Sequence, residues 1–135
     1  MIDRIEYALN IAKYDENIRG VILYGSRAND NVTPDRYQDY DIIFVVADRD
    51  QFDLLVFKNV AIKFNASEVY PELFQGEITY LMLFDDDSRI DLTVCTAEVF
   101  ISNHTNGQSM RCLLDKDNNL SKLIVVDRGI HNIKK

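Results

Sequence analysis

Two short apolar runs, Val21-Ile22-Leu23-Tyr24 and Ile42-Ile43-Phe44-Val45-Val46, constrain this chain more than any other feature. Runs of this length and composition read as buried strands. The residues that bound them are polar. The first run leads into Gly25-Ser26-Arg27, and the second follows Asp39-Tyr40-Asp41. A small, flexible Gly-Ser turn therefore closes one strand, and two carboxylates open another. Residues i and i+2 of a strand share a face, so Asp39 and Asp41 point the same way with Cα atoms about 6.5–7 Å apart. Carboxylates held that close repel each other unless a cation lies between them. A hard divalent ion such as Mg²⁺, which takes oxygen ligands, meets that need. Backbone N–H groups offered to a phosphate, beside carboxylates offering Mg²⁺ to the same phosphate, make a nucleotide site.

The rest of the chain bounds the setting. Its 135 residues suit one domain, read as a globular unit over 1–126 with a polar tail over 127–135. A hydrophobic content of 47% is enough for a normal core. No apolar run approaches the roughly 18 residues of a membrane span. The start, Met1-Ile2-Asp3-Arg4-Ile5-Glu6, carries acids where a signal peptide would be basic and then apolar. The expectation is a cytoplasmic protein without a membrane partner. A formal net charge of −7 argues against a broad nucleic-acid surface and suits a cationic small substrate, although it serves solubility equally well. Cys95 and Cys112 lack CxxC spacing, and Cys95, after Leu92-Thr93-Val94, reads as a buried strand thiol rather than half of a disulfide. His104 and His131 have no metal-ligand spacing and read as surface or cap histidines.

Along the chain, Ile2, Ile5, Ala8, Leu9 and Ala12 predict an amphipathic helix over 2–15. Strands follow at 18–24 and 40–47, with a short helix and a turn-rich loop between them. A helix over 48–55 capped by Asp48, a strand over 59–64 and a helix over 67–74, with Pro71 an awkward guest, come next. Thr79–Phe84, the turn Asp85-Asp86-Asp87-Ser88 and Arg89–Val94 predict a hairpin whose Asp triplet is a solvated turn. A helix over 97–103 and a last strand over 110–114 complete the reading.

The hairpin supplies a third carboxylate. Ile90, Leu92 and Val94 share one face of their strand, and Arg89, Asp91 and Thr93 share the other. An acid in a core strand is costly unless it is paired or binds metal. Beside Asp39 and Asp41, Asp91 completes a cluster able to hold two Mg²⁺ ions about 3.5–4 Å apart. The chemistry implied is nucleotidyl transfer with pyrophosphate leaving. Taken singly, Gly25-Ser26 reads equally as an ordinary strand-to-helix turn, Asp39 and Asp41 as a turn acid and a strand-start cap, and Asp91 as a partner of Arg27 or Arg89. Their order along the chain is what carries the signal.

That order resembles the nucleotidyltransferase superfamily that includes DNA polymerase β. Val21-Ile22-Leu23-Tyr24-Gly25-Ser26-Arg27, Gln38-Asp39-Tyr40-Asp41-Ile42, Leu81-Met82-Leu83-Phe84 and Arg89-Ile90-Asp91-Leu92-Thr93 resemble, more narrowly, the aminoglycoside 6-adenylyltransferases that modify streptomycin, over about residues 1–120. The resemblance implies an α/β (α+β) nucleotidyltransferase fold, a mixed sheet with helices mainly on one face. It implies Asp39, Asp41 and Asp91 as catalytic metal ligands, with Asp91 also the candidate base. Gly25 and Ser26 would hold the triphosphate and Arg27 would help neutralise it. AMP would pass from MgATP to a hydroxyl of an aminoglycoside such as streptomycin. Family members carry a further C-terminal helical domain that forms much of the acceptor cleft, so this length implies an incomplete enzyme or a standalone small nucleotidyltransferase, and the missing half would also leave an apolar face for a second copy to cover in a homodimer. The alternatives are a minimal toxin–antitoxin nucleotidyltransferase that adenylylates a protein, and an inactive domain that binds nucleotide or a partner.

Overall fold

A computed structural model describes residues 3–24, 39–104 and 109–122. Gly25, Ser26 and Arg27, the short helix expected after them, His131 and the expected boundary at residue 126 lie outside the described residues. The element order is α1 (Arg4–Tyr14), β1 (Ile18–Tyr24), β2 (Asp39–Val46), β3 (Val60–Asn65), α2 (Ala66–Val69), β4 (Ile78–Phe84), β5 (Arg89–Cys95), α3 (Ala97–His104) and β6 (Met110–Asp115). The six strands form one mixed sheet in the order β3-β4-β5-β2-β1-β6. β2 and β5 run parallel at its centre, and every other pair is antiparallel.

Period-2 alternation sorts the two faces. On one face Val21, Leu23, Tyr40, Ile42, Phe44, Val46, Met82, Phe84, Ile90, Leu92 and Val94 form the larger core. α1 lies on this face through Ala8 and Ala12, both fully buried, since their small side chains let the helix approach the strands. Asp3 caps the helix by accepting from the backbone N–H groups of Ile5 and Glu6. At its other end Lys116 donates from Nζ to the Ala12 and Asp15 carbonyls at 2.7 and 3.0 Å, meeting acceptors the last turn leaves open. The other face carries a smaller core of Ile22, Ile43, Val45, Cys95, Met110 and Leu120 under Phe100 of α3.

Three local features depart from the sequence reading. Residues 48–55 form two 3-10 turns, Arg49–Gln51 and Leu54–Val56, because Asp48 and Asp53 each cap a new turn and interrupt continuous helix. Pro71 splits 67–74: α2 ends at Val69, and a 3-10 turn, Pro71–Leu73, begins on the residue that has no N–H to give.

The third departure is the Asp triplet, which is not simply solvated. Asp85 and Asp87 are exposed, but Asp86 turns inward to Arg4 of α1. Arg4 is 1% exposed. It donates from Nη2 to Asp86 Oδ1 at 3.1 Å and from Nε to Ser88 Oγ at 2.7 Å. Its guanidinium lies 3.8 Å from the centroid of the Phe84 ring. The Ser88 hydroxyl, together with Arg4, holds the Asp86 carboxyl well below the usual carboxylate range. The hairpin turn is thus clamped to α1.

Candidate active site

The central ladder assembles the site. β1 and β2 place Tyr24 opposite Asp41, and the parallel β2–β5 pair places Asp41 opposite Asp91 and Asp39 opposite Arg89. Because β2 and β5 are in register, the two carboxylates meet across one strand spacing of about 4.8 Å. Both are partly buried. The two side chains are close enough for each to act on the other's titration. Burial, then the charge of Asp91, pushes the Asp41 carboxyl up to about 6. Burial also raises Asp91, opposed by the Arg89 guanidinium. Asp91 Oδ1 is buried with no hydrogen-bond partner among the described residues.

Asp39 stands apart from this pair. It is exposed at the start of β2, beside Arg89 in the ladder, and its charge adds to the rise of both acids. The structure therefore brings Asp41 and Asp91 into direct contact and keeps Asp39 at the rim. Among the described residues, no three carboxylate, thiol or imidazole groups already converge to metal-binding distance. The donor chemistry nonetheless fits a hard cation. The groups are all carboxylate oxygens, one of them is buried with no partner among the described residues, and burial with the facing charge of Asp91 makes Asp41 hold its proton more readily than a free carboxylate.

A layer of uncharged hydroxyls adjoins the pair. Tyr24 lies near enough to Thr93 for that side chain to oppose the rise of its phenol. Thr93 stands opposite Thr79, with the two Oγ1 atoms 3.2 Å apart and buried. Burial pushes the Tyr24 phenol up to about 12, and Asp41, Asp91 and Glu77 add to the rise. Sequence reading missed this layer. Thr93 was legible, two residues from Asp91 on the same strand face. Tyr24 was hidden in an apolar run, where an aromatic reads as core.

His104 also departs from the expected surface or cap role. It ends α3, but its ring is mostly buried, and Nε2 lies 2.7 Å from Oε2 of the buried Glu77. Cys95 does match its reading as a buried strand thiol. Burial, with Glu77 nearby, pushes it up to about 12.

Comparison with known proteins shows which family this chain resembles. Residues 1–135 match the sequence model of streptomycin adenylyltransferase. An aminoglycoside 6-adenylyltransferase of Campylobacter jejuni is 40% identical over 124 residues, which cover 87% of this chain and 43% of that protein. One from Bacillus subtilis (strain 168) is 37% identical over 123 residues, covering 84% of this chain and 41% of its own length. The crystal structure of an aminoglycoside 6-adenyltransferase from Bacillus subtilis superimposes with a TM-score of 0.58 at 27% identity, covering 86% of this chain and 41% of that one. The chain spans less than half the length of these relatives.

Proposed function

The chain belongs to the streptomycin adenylyltransferase family, and on that premise we propose that it is the nucleotidyl-transfer portion of an enzyme that moves AMP from ATP to a hydroxyl of a cationic aminoglycoside such as streptomycin. The observation that carries this reading is the Asp41–Asp91 pair: two carboxylates in register on adjacent strands, one with a buried oxygen that has no partner among the described residues. Nothing in the core requires such a pair, and it costs stability at neutral pH. A function that needs two carboxylates at one point explains it.

Asp41 and Asp91 would hold Mg²⁺, with Asp39 reaching in from the rim. The ion would supply charge neutralisation for the triphosphate and acidity for the acceptor hydroxyl. Gly25 and Ser26 would offer backbone N–H groups to the phosphates, and Arg27 would offset their charge. Asp91 would accept the hydroxyl proton as the oxygen bonds to the α-phosphorus and the bond to pyrophosphate breaks. The acidic surroundings favour an acceptor bearing ammonium or guanidinium groups. The further length carried by the relatives is where we place the rest of the acceptor cleft.

The test is direct. MgATP should raise the melting temperature of the parent chain, and Asp41→Asn should abolish that rise. Labelled ATP and streptomycin should give adenylylated drug with the chain extended to its relatives' length. Millimolar MgATP without any thermal shift would overturn the nucleotide site. Labelled protein in place of labelled drug would redirect the acceptor to a polypeptide.

A further inference from the structure

The mechanism above leaves one buried acid unused. Glu77 precedes β4 and is 7% exposed. Its Oε2 meets His104 Nε2 at 2.7 Å and Asn103 Nδ2 at 3.4 Å. Asn103 also donates to the Gln75 carbonyl at 3.0 Å, so two consecutive residues at the end of α3 grip the segment 75–77. Gly76 makes this grip possible. Its φ of +78° suits glycine, and a Cβ there would come within 3.1 Å of Val99 on α3.

The His104 ring held by this grip is itself placed against the site. It stacks on Phe100, with centroids 6.1 Å apart and planes at 22°. It also faces Tyr24, with centroids 6.3 Å apart. Tyr24 is the residue from which β1 enters Gly25-Ser26-Arg27, and it is the ladder partner of Asp41. Its phenol lies near Thr93 and its ring is flanked by His104.

We propose that Glu77 and His104 are positioning residues for the nucleotide site: the buried pair sets the His104 ring, the ring sets Tyr24, and Tyr24 sets the exit of β1 beside Asp41. This rests on the nucleotide-site reading above. A tie that merely joined α3 to β4 would have no use for a histidine ring packed on the residue next to Gly25. A Tyr24 side chain already fixed beside Asp41 lowers the ordering cost when a triphosphate binds, so the effect falls on nucleotide affinity.

The experiment is isothermal titration of MgATP into the parent chain and into His104→Ala, His104→Gln, Glu77→Ala and Glu77→Gln. It is run well below the lowest melting temperature, so that every variant titrated is folded. His104→Gln keeps an amide donor for Glu77 but removes the ring from Tyr24, so it separates the tie from the positioning. His104→Ala, Glu77→Ala and His104→Gln should each weaken Kd about tenfold, and Glu77→Gln, which keeps an acceptor for His104, should stay within about threefold. In the extended enzyme the same variants should raise KM for ATP more than they lower kcat. If folded His104→Gln binds MgATP as tightly as the parent, the positioning role is refuted and the pair is structural. If the parent itself does not bind, the nucleotide site fails first, and this proposal goes with it.

Discussion

Replacing Asp41 with Asn should stabilise the metal-free protein while abolishing its response to MgATP. The Asp41 carboxyl moves from 3.8 up to about 6, through burial and then the facing charge of Asp91. Its folded-state pKa lies above its unfolded value, so its contribution to stability is intact below about pH 4 and is lost as pH rises through about 6. At about 1.4 kcal/mol per pKa unit, the penalty at pH 8 is roughly 3 kcal/mol, and partial solvation of the site reduces it to about 2. Asn removes the ionisation and keeps the shape of the side chain. For a chain of this size that corresponds to a rise in melting temperature of about 6–8 °C. The assay is thermal denaturation in EDTA at intervals between pH 4 and 8. The parent should lose stability relative to Asp41→Asn across that range, with the curves converging near pH 4. Saturating MgATP should then raise the parent alone and narrow or reverse the gap. If Asp41→Asn melts at or below the parent at pH 8, and the gap does not change with pH, the two carboxylates are not in unfavourable contact and the argument from their register fails.

Further outcomes follow from the flanking structure. Arg4→Ala removes a buried guanidinium from Asp86, Ser88 and Phe84; it should cost about 3 kcal/mol and lower the melting temperature by about 10 °C, read by thermal denaturation. Asp86 has a folded-state pKa below its unfolded value, so its contribution is present above about pH 4 and is lost as pH falls further; the difference between the parent and Asp86→Asn should shrink on acidification and stay constant between pH 6 and 8. Cys95 is fully buried with its thiol pushed up to about 12, so in the native protein iodoacetamide should modify the partly exposed Cys112 first, with Cys95 reacting only on denaturation, as read by intact mass. Gly76→Ala should cost about 1–2 kcal/mol through its positive φ and the contact with Val99, measured by urea titration.

What the sequence revealed and what it hid divide along a physical line. Period-2 alternation is local, so it placed Asp91 with Thr93 and opposite Ile90 and Leu92, and apolar runs located β1 and β2 to within a residue or so. Alternation alone does not say which strands are neighbours. Asp39 and Asp41 share a strand and were legible as a pair, yet the close contact is Asp41 with Asp91, made by a parallel pairing between strands far apart in the chain. That pairing also explains why Asp39, expected as an equal member of the cluster, stays exposed at the rim beside Arg89. The Glu77–His104 contact lies further beyond local reading. It needs the turn at Gly76, the length of α3 and the approach of that helix to the sheet, and no spacing between residues 77 and 104 signals it. A lone histidine is ordinarily a surface group, and a glutamate just before a strand is ordinarily solvated. Each is buried here because the other is present, so neither could be recognised by itself. The two acids of the site differ in that their contact is repulsive: burial and the facing charge of Asp91 raise Asp41, so the pair costs stability at neutral pH.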